Sequence, residues 1–264
     1  MKEIIQRIKP GSRILLFLDY DGTLVPIKKA PEFAVFHPLR RRLLKRLSEK
    51  VFICIVSGRS PADVRKLVGL RGIAYIGNHG LEICFGQRVW VHPEAEKIRP
   101  ILNNALKNIQ DRTRDFTGVR IENKGVTGSI HYRLSAPALW NPLKETIRQE
   151  AAARHRELKM TEGKRVFEIR PNVDWNKGKG ICELLSRLDL DKMPLRIYIG
   201  DDQTDEDAFR VLAKDDATIL VGRRKDSQAR YRLADVGQVW RFLKNLLDLV
   251  SAPETTTFAK RRRK

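Results

Sequence analysis

Residues 17–25 read FLDYDGTLV, an apolar run that ends in two aspartates two apart, followed by glycine and threonine. Asp and Gly gather at strand ends because they make turns, which accounts for Asp21 before Gly22. Asp19 is not explained that way. Residues 14–18, Ile-Leu-Leu-Phe-Leu, carry the continuous apolar pattern of a strand buried on both faces of a parallel sheet. A carboxylate at its end is costly to desolvate unless a cation or hydrogen-bond donors sit beside it. In open α/β sheets, sites that supply such partners lie beyond the carboxyl ends of the strands, where this pair falls.

Outward from this strand, apolar runs alternate with helical patterns: a helix over 38–49, a strand over 52–57, a helix over 61–68 and a strand over 73–77. LEICFGQRVWV (81–91) reads as a hairpin. From about Ile98 the character changes: a helix over 99–115, two half-polar strands in GVRIENK and GSIHYRL, a helix over 137–153, then a strand in RVFEIRP. The βα alternation resumes with a helix over 178–188, the strand LRIYIG, a helix over 205–213, the strand ATILVG and a last helix over 238–250. The fold class is therefore α/β. A Rossmann-like parallel-sheet core built from 1–97 and 178–250 is interrupted by an inserted α+β cap domain over 98–177. Residues 251–264 lack a core pattern and end in a run of bases, as a disordered basic tail does.

The 264 residues suffice for a sizeable core, and 42% hydrophobic content is ordinary for a globular chain. No apolar run of about 18 residues is present, so no membrane-spanning helix is expected. The first residues, MKEIIQRIKPGSR, lack the pattern of a secretory signal. Three cysteines, two of them in apolar runs, fit reduced thiols in a cytoplasm. Lys and Arg number 52 against 32 Asp and Glu, a net charge of +20 that favours anionic partners. The run Arg40, Arg41, Arg42, Lys45, Arg46 alternates with Leu39, Leu43, Leu44 and Leu47, the pattern of an amphipathic helix with a wet basic face.

Four segments at the ends of expected core strands carry chemistry. The first strand is followed by Asp19, Asp21, Gly22 and Thr23, the second by Ser57, Gly58 and Arg59, and the third by Asn78 and His79. IYIGDDQTDEDAF brings Asp201, Asp202 and Asp205, and Lys177 precedes the helix that leads into that strand. One rim then holds carboxylates, a hydroxyl, an amine and glycine turns, a set suited to phosphoryl transfer. A nucleophilic carboxylate splits ester cleavage into two displacements and needs a cation to approach an anion. Mg²⁺ is a hard ion held by carboxylates, a carbonyl and waters, which Asp19, the Asp21 backbone and Asp201 would supply. Asp21 stands at the offset for protonating a poor leaving group. Lys177 and Ser57 would bind the phosphoryl oxygens, with Gly22, Thr23, Gly58 and Arg59 completing the phosphate site.

DYDGTL, VSGRS, NKGKG and GDDQTDEDAF, in this order, resemble the motifs of the haloacid dehalogenase (HAD) superfamily of aspartate phosphatases. With GNHGLE, IENKGVTGSIHYR and FEIRP added, the chain is similar over about residues 12–250 to the trehalose-6-phosphate phosphatase family. The resemblance implies Asp19 as nucleophile, Asp21 as general acid and then base, and Mg²⁺ on Asp19, Asp21 and Asp201, with Asp205 near the metal through water. It also implies Glu122, Lys124 and Glu168 as contacts to sugar hydroxyls, with Asn78 and His79 on the substrate side. From the residues alone, Glu122 and Lys124 read equally well as a surface ion pair on one strand face. Gly180 stands where the family often has alanine, which reads as a modest penalty within a helix.

The expected reaction is Mg²⁺-dependent hydrolysis of trehalose 6-phosphate by a cytoplasmic monomer, with a separate trehalose-6-phosphate synthase in the pathway because no stretch outside the motifs is long enough for a glycosyltransferase. Two alternatives stand beside it: another phosphosugar, such as sucrose phosphate or a glycosyl phosphoglycerate, and a nucleic-acid-binding protein on the same scaffold. The second is disfavoured because no aromatics interleave with the basic runs.

Overall fold

The computed structural model describes residues 2–9, 11–27, 36–188, 194–212 and 215–252. The chain begins with helix α1 (Lys2–Arg7), strand β1 (Ile14–Asp19), α2 (Pro38–Ser48), β2 (Phe52–Val56), α3 (Pro61–Val68), β3 (Ala74–Gly77) and a hairpin of β4 (Glu82–Phe85) and β5 (Arg88–Val91). Helices α4 (Pro93–Lys97) and α5 (Arg99–Arg112) lead to β6 (Arg120–Asn123) and β7 (Gly128–His131), then α6 (Trp140–Ala152), β8 (Leu158–Gly163) and β9 (Val166–Pro171). The chain finishes through α7 (Lys177–Ser186), β10 (Leu195–Gly200), α8 (Glu206–Val211), β11 (Ala217–Val221), β12 (Tyr231–Leu233) and α9 (Val236–Ser251).

Eight strands make one sheet in the order β12-β11-β10-β1-β2-β3-β4-β5, with every neighbouring pair from β12 to β3 parallel and the β4–β5 hairpin antiparallel at one edge. The apolar runs are two-faced. Leu16 and Leu18 join Ile197, Ile199 and the buried faces of α2 and α9, whereas Leu15 and Phe17 join Tyr198, Leu220 and residues of α7 and α8. This alternation follows from the period of two along a strand and leaves both faces dry. From β1 the chain runs outward one way through β2 and β3, and later the other way through β10, β11 and β12, so the topological switch point lies between β1 and β10. A separate antiparallel sheet, β6-β7-β9-β8, packs on α5 and α6 around Leu102, Ile109, Leu143 and Phe167.

Local signals set the helix ends. Ser60 caps α3 by accepting from Asp63 N, Pro61 occupies its first turn, and Gly69 ends it with φ 66°. In α2, Leu44 and Leu47 are buried but Leu39, in the first turn, is exposed. The basic face is not wholly wet, since Arg41 donates to Val68 O at 2.8 Å and to Leu67 O, capping the end of α3.

Several elements differ from expectation. The small sheet has a fourth strand, β8, whose LKMTEG sequence carries charge because it lies at the sheet edge. The three-residue β12 and the short α1 and α4 have too few residues to show a period. The helix expected over 99–115 ends at Arg112, where the Thr113 hydroxyl folds back onto Ile109 O at 2.7 Å. Helix α9 starts at Val236, because Asp235 caps it, and runs to Ser251, the first residue assigned to the tail. Residues 253–264, with the rest of that tail, lie outside the described residues.

Two chain crossings join the sheets, one through α4 and one through 172–176. Here Trp175 donates to Gly80 O at 2.7 Å and its ring lies 5.7 Å from Trp90 and 4.5 Å from His92. Next to this crossing α7 meets the 78–80 turn at backbone contact. A Cβ on Gly180 would lie 2.6 Å from Gly80 Cα, so the modest helix penalty expected of this glycine is the lesser part of its role. Gly180→Ala should gain up to about 1 kcal/mol of helix propensity, yet lower the unfolding free energy by about 1–3 kcal/mol through overpacking. Urea denaturation of both proteins measures the difference, and an equally or more stable variant contradicts it.

Candidate active site

The carboxyl ends of β1 and β10, on either side of the switch point, bring Asp19 and Asp201 together. Asp19 is 4% exposed, and its Oδ1 accepts from Lys177 Nζ at 2.8 Å. The same amine, 3% exposed, donates to Asp205 Oδ1 at 2.7 Å. Asp205 also accepts from Tyr198 Oη at 2.6 Å and from the backbone amides of Asp201 and Asp202, each at 2.9 Å. Both of its oxygens are therefore engaged by protein. Asp202 returns the favour by accepting from the Asp205 amide, a reciprocal cap on the turn that starts α8.

Asp19 Oδ2, by contrast, is buried without a hydrogen-bond partner. Oxygen atoms of Asp19, Asp201 and Asp205 lie within 4.8 Å of one another. Gly22, at φ +92°, makes room for this group, since a Cβ there would sit 2.2 Å from Asp201 Oδ2. Thr23 Oγ1 donates to Asp201 Oδ1 at 3.4 Å, so the hydroxyl of this expected phosphate ligand faces the carboxylate.

Burial pushes Asp19 well above the usual carboxylate range, against the pull of Lys177, and burial with Asp205 beside it pushes Asp201 up to about 6. Lys177 is driven upward by Asp19 and Asp205 although burial opposes it. Three carboxylates facing one ammonium leave an excess of negative charge, and an orphaned oxygen points into it. A hard divalent cation fits this all-oxygen set.

The Asp21 carboxylate stands outside that cluster. It accepts from Arg59 Nε at 2.6 Å and Nη2 at 2.9 Å, a bidentate pair, while Arg59 Nη1 donates to Asp63 at 2.8 Å. The carboxylate is thereby held away from the cluster, in keeping with the backbone oxygen as the expected donor of Asp21 to a cation, whereas the Arg59 guanidinium, expected at the phosphate, is engaged by carboxylates and orients the acid. Ser57 is buried beside it and accepts from Arg59 N at 3.1 Å. Gly58 O accepts from Lys124 Nζ at 3.1 Å.

Lys124 reaches Gly58 from the small sheet. It also donates to Glu168 Oε1 at 3.1 Å, as does Ser129 Oγ at 3.2 Å, and His79 Nε2 lies 3.0 Å from Glu168 Oε2. Glu122 pairs with His131 at 2.9 Å, so it forms no surface pair with Lys124. Burial raises the Glu168 carboxyl, but its cationic neighbours hold it well below the usual range. Burial lowers His79 against the opposing pull of Glu168.

These groups line one cavity of about 480 Å³, with Asp19, Asp21, Lys177 and Asp201 at one end and Glu122, Lys124 and Glu168 at the other. Asn78 does not line it. It is fully buried with its amide engaged by Thr127, Lys124 O and Glu82, which removes it from the expected substrate contacts. Ser129, His131 and Arg133 do line it, and the sequence reading did not single them out. Their spacing of two along GSIHYR puts them on one strand face, which was the signal available. A second cleft of about 700 Å³, lined by Arg223, Arg224, Lys225 and Arg232, holds none of the four motifs.

The family described as Trehalose-phosphatase matches residues 17–237. Among similar proteins, probable trehalose-phosphate phosphatase 4 of Oryza sativa subsp. japonica is 36% identical over 90% of this chain and 67% of its own length. Trehalose-phosphate phosphatase B of Arabidopsis thaliana is 34% identical over 93% of this chain and 69% of its own. Among solved structures, a trehalose-6-phosphate phosphatase related protein superposes with a TM-score of 0.79 at 28% identity, covering 89% of this chain and 97% of that one. The C-terminal domain of the Candida albicans trehalose-6-phosphate phosphatase gives 0.75 at 26% identity, over 94% and 96%.

The raised Asp201 carboxyl has a signed consequence. Its folded value lies above the unfolded value of about 3.9, so its ionisation weighs against the metal-free fold above about pH 6 and not below about pH 4. In chelator, Asp201→Asn should unfold at a higher temperature than the wild type at pH 7, the advantage shrinking towards pH 4. A divalent cation at pH 7 should raise the wild-type midpoint more than the variant's. Thermal melts at the two pH values check both, and an advantage that does not vary with pH contradicts the assignment.

Proposed function

This chain belongs to the trehalose-phosphatase family, and we propose that it is a Mg²⁺-dependent phosphatase releasing trehalose and phosphate from trehalose 6-phosphate. Membership makes it a phosphoric monoester hydrolase of the HAD fold. The observation that carries the specific reading is the shared cavity: a buried carboxylate with an open oxygen at one end, hydroxyl-binding groups from the small sheet at the other.

Asp19, Asp201 and the Asp21 backbone would hold Mg²⁺, with Asp205 near it through water, and the bound ion would offset the repulsion between carboxylate and phosphate. Asp19 Oδ2 attacks phosphorus. As that bond forms and the phosphorus–sugar oxygen bond breaks, Asp21, fixed by Arg59, gives its proton to the departing oxygen. Water then attacks the phosphorylated Asp19, Asp21 takes its proton, and phosphate leaves with Asp19 restored. Lys177 and Ser57 stabilise the transferring oxygens.

The small sheet acts as the cap, with Glu122, Lys124 and Glu168 binding sugar hydroxyls and excluding bulk water while the phosphoryl group moves to Asp19. His79 orients Glu168 within that clamp. A separate synthase would supply the substrate to a cytoplasmic monomer. The three free cysteines suit a reducing compartment, and among the described residues no helix is long and apolar enough to cross a membrane.

Asp19→Asn should lower phosphate release from trehalose 6-phosphate by about 10⁴ or more, and chelation of Mg²⁺ should abolish it reversibly. Across a panel with sucrose phosphate and glycosyl phosphoglycerate, Glu122→Ala and Glu168→Ala should raise KM for the trehalose ester most. Undiminished turnover by Asp19→Asn defeats the mechanism, while a preference for another phosphosugar defeats only the substrate.

A further inference from the structure

Asn78 is a polar residue in an unusual backbone state, with φ 48°, followed by His79 at φ 56°. Asparagine accepts this left-handed region more readily than most residues. Its environment gives it a task. The Asn78 amide nitrogen donates to Arg59 O at 2.8 Å, tying it to the loop of Ser57, Gly58 and Arg59 on the phosphate side. Its side chain crosses to the other sheet, where Oδ1 accepts from Thr127 Oγ1 at 2.7 Å and Nδ2 donates to Lys124 O at 3.0 Å.

Thr127 is itself fully buried and closes a turn by accepting from Lys124 N at 2.9 Å. That turn aims Lys124, whose ammonium bridges Gly58 O and Glu168. Neither Asn78 nor Thr127 lines the cavity. One buried residue, through its backbone N–H and its side-chain amide, thus joins the loop beside the transferred phosphoryl group to the turn that presents a sugar contact.

We propose that Asn78 and Thr127 form a latch that fixes the closed position of the small sheet over the core, and that this latch positions Lys124 and Glu168 for the phosphosugar. Both are positioning residues, and the assignment rests on the phosphosugar reading above. The latch affects only substrates that need the sugar clamp. A small aryl phosphate, with a good leaving group and no sugar hydroxyls, does not draw on it.

Thr127→Val keeps shape but removes the one hydroxyl given to Asn78, leaving a buried acceptor unpaired. KM for trehalose 6-phosphate should rise about tenfold, the scale of one such loss, with kcat/KM for p-nitrophenyl phosphate unchanged and Thr127→Ser restoring the wild-type value. Hydrogen exchange without substrate should be faster over residues 124–130 in Thr127→Val and unchanged in β1 and β10. Unchanged exchange over 124–130, or equal losses on both substrates without rescue by serine, overturns the latch. If the wild type cleaves the aryl phosphate but not trehalose 6-phosphate, the substrate reading falls, and the exchange comparison alone decides the latch.

Discussion

The buried ammonium of Lys177, shared between Asp19 and Asp205, is the interaction on which the arrangement of the core rim depends. An unpaired charge at this depth would be expelled or neutralised, so the three groups must arrive together from β1, α7 and the turn after β10. That demand reaches well beyond the triad. Tyr198 spends its hydroxyl on Asp205, and the Asp201 and Asp202 amides converge on the same carboxylate. Helix α7 must start close enough for its first residue to reach both acids, so it packs against the 78–80 turn where only Gly180 fits. Lysine at that position works against the positive end of the helix dipole, a further reason why it needs two carboxylates.

What the triad fixes, the second sheet completes. The core end of the cavity is acidic, whereas the opposite end is built from paired polar groups, Glu122 with His131 and Glu168 with Lys124. Such pairs are already oriented and half-satisfied, so hydroxyl groups can replace partners without leaving a bare charge. Arg59 does the same for Asp21, holding its carboxylate in a fixed direction. The two ends therefore ask different things of a ligand.

Much of the core was legible because five of the six parallel strands write themselves as continuous apolar runs, and the motif residues fall where those runs stop. Strand β1, helix α3 and strand β10 run over the residues that the pattern indicated. Edge strand β8 was not legible, because its outward charge erases the alternation that a half-buried strand shows. Site chemistry was legible by residue type and less so by partner. Arg59 and Asp21 are 38 residues apart, and Asn78 meets Thr127 across 49. No local pattern encodes contacts of that range, so Arg59 read as a phosphate ligand and Asn78 as a substrate contact until the fold brought their partners to them. Ser129, His131 and Arg133 were within reach of the sequence, since their period of two assigns them to the face that carries Glu122 and Glu168.

The crossing between the sheets has a practical corollary. Of the four tryptophans, Trp90 and Trp175 stand at this junction in mutual contact, and the indole of Trp175 is tethered to Gly80 O on the core side. Rotation of one sheet against the other must alter that ring pair or its tether. Indole fluorescence would therefore report any such rotation from a junction two residues away from Lys177.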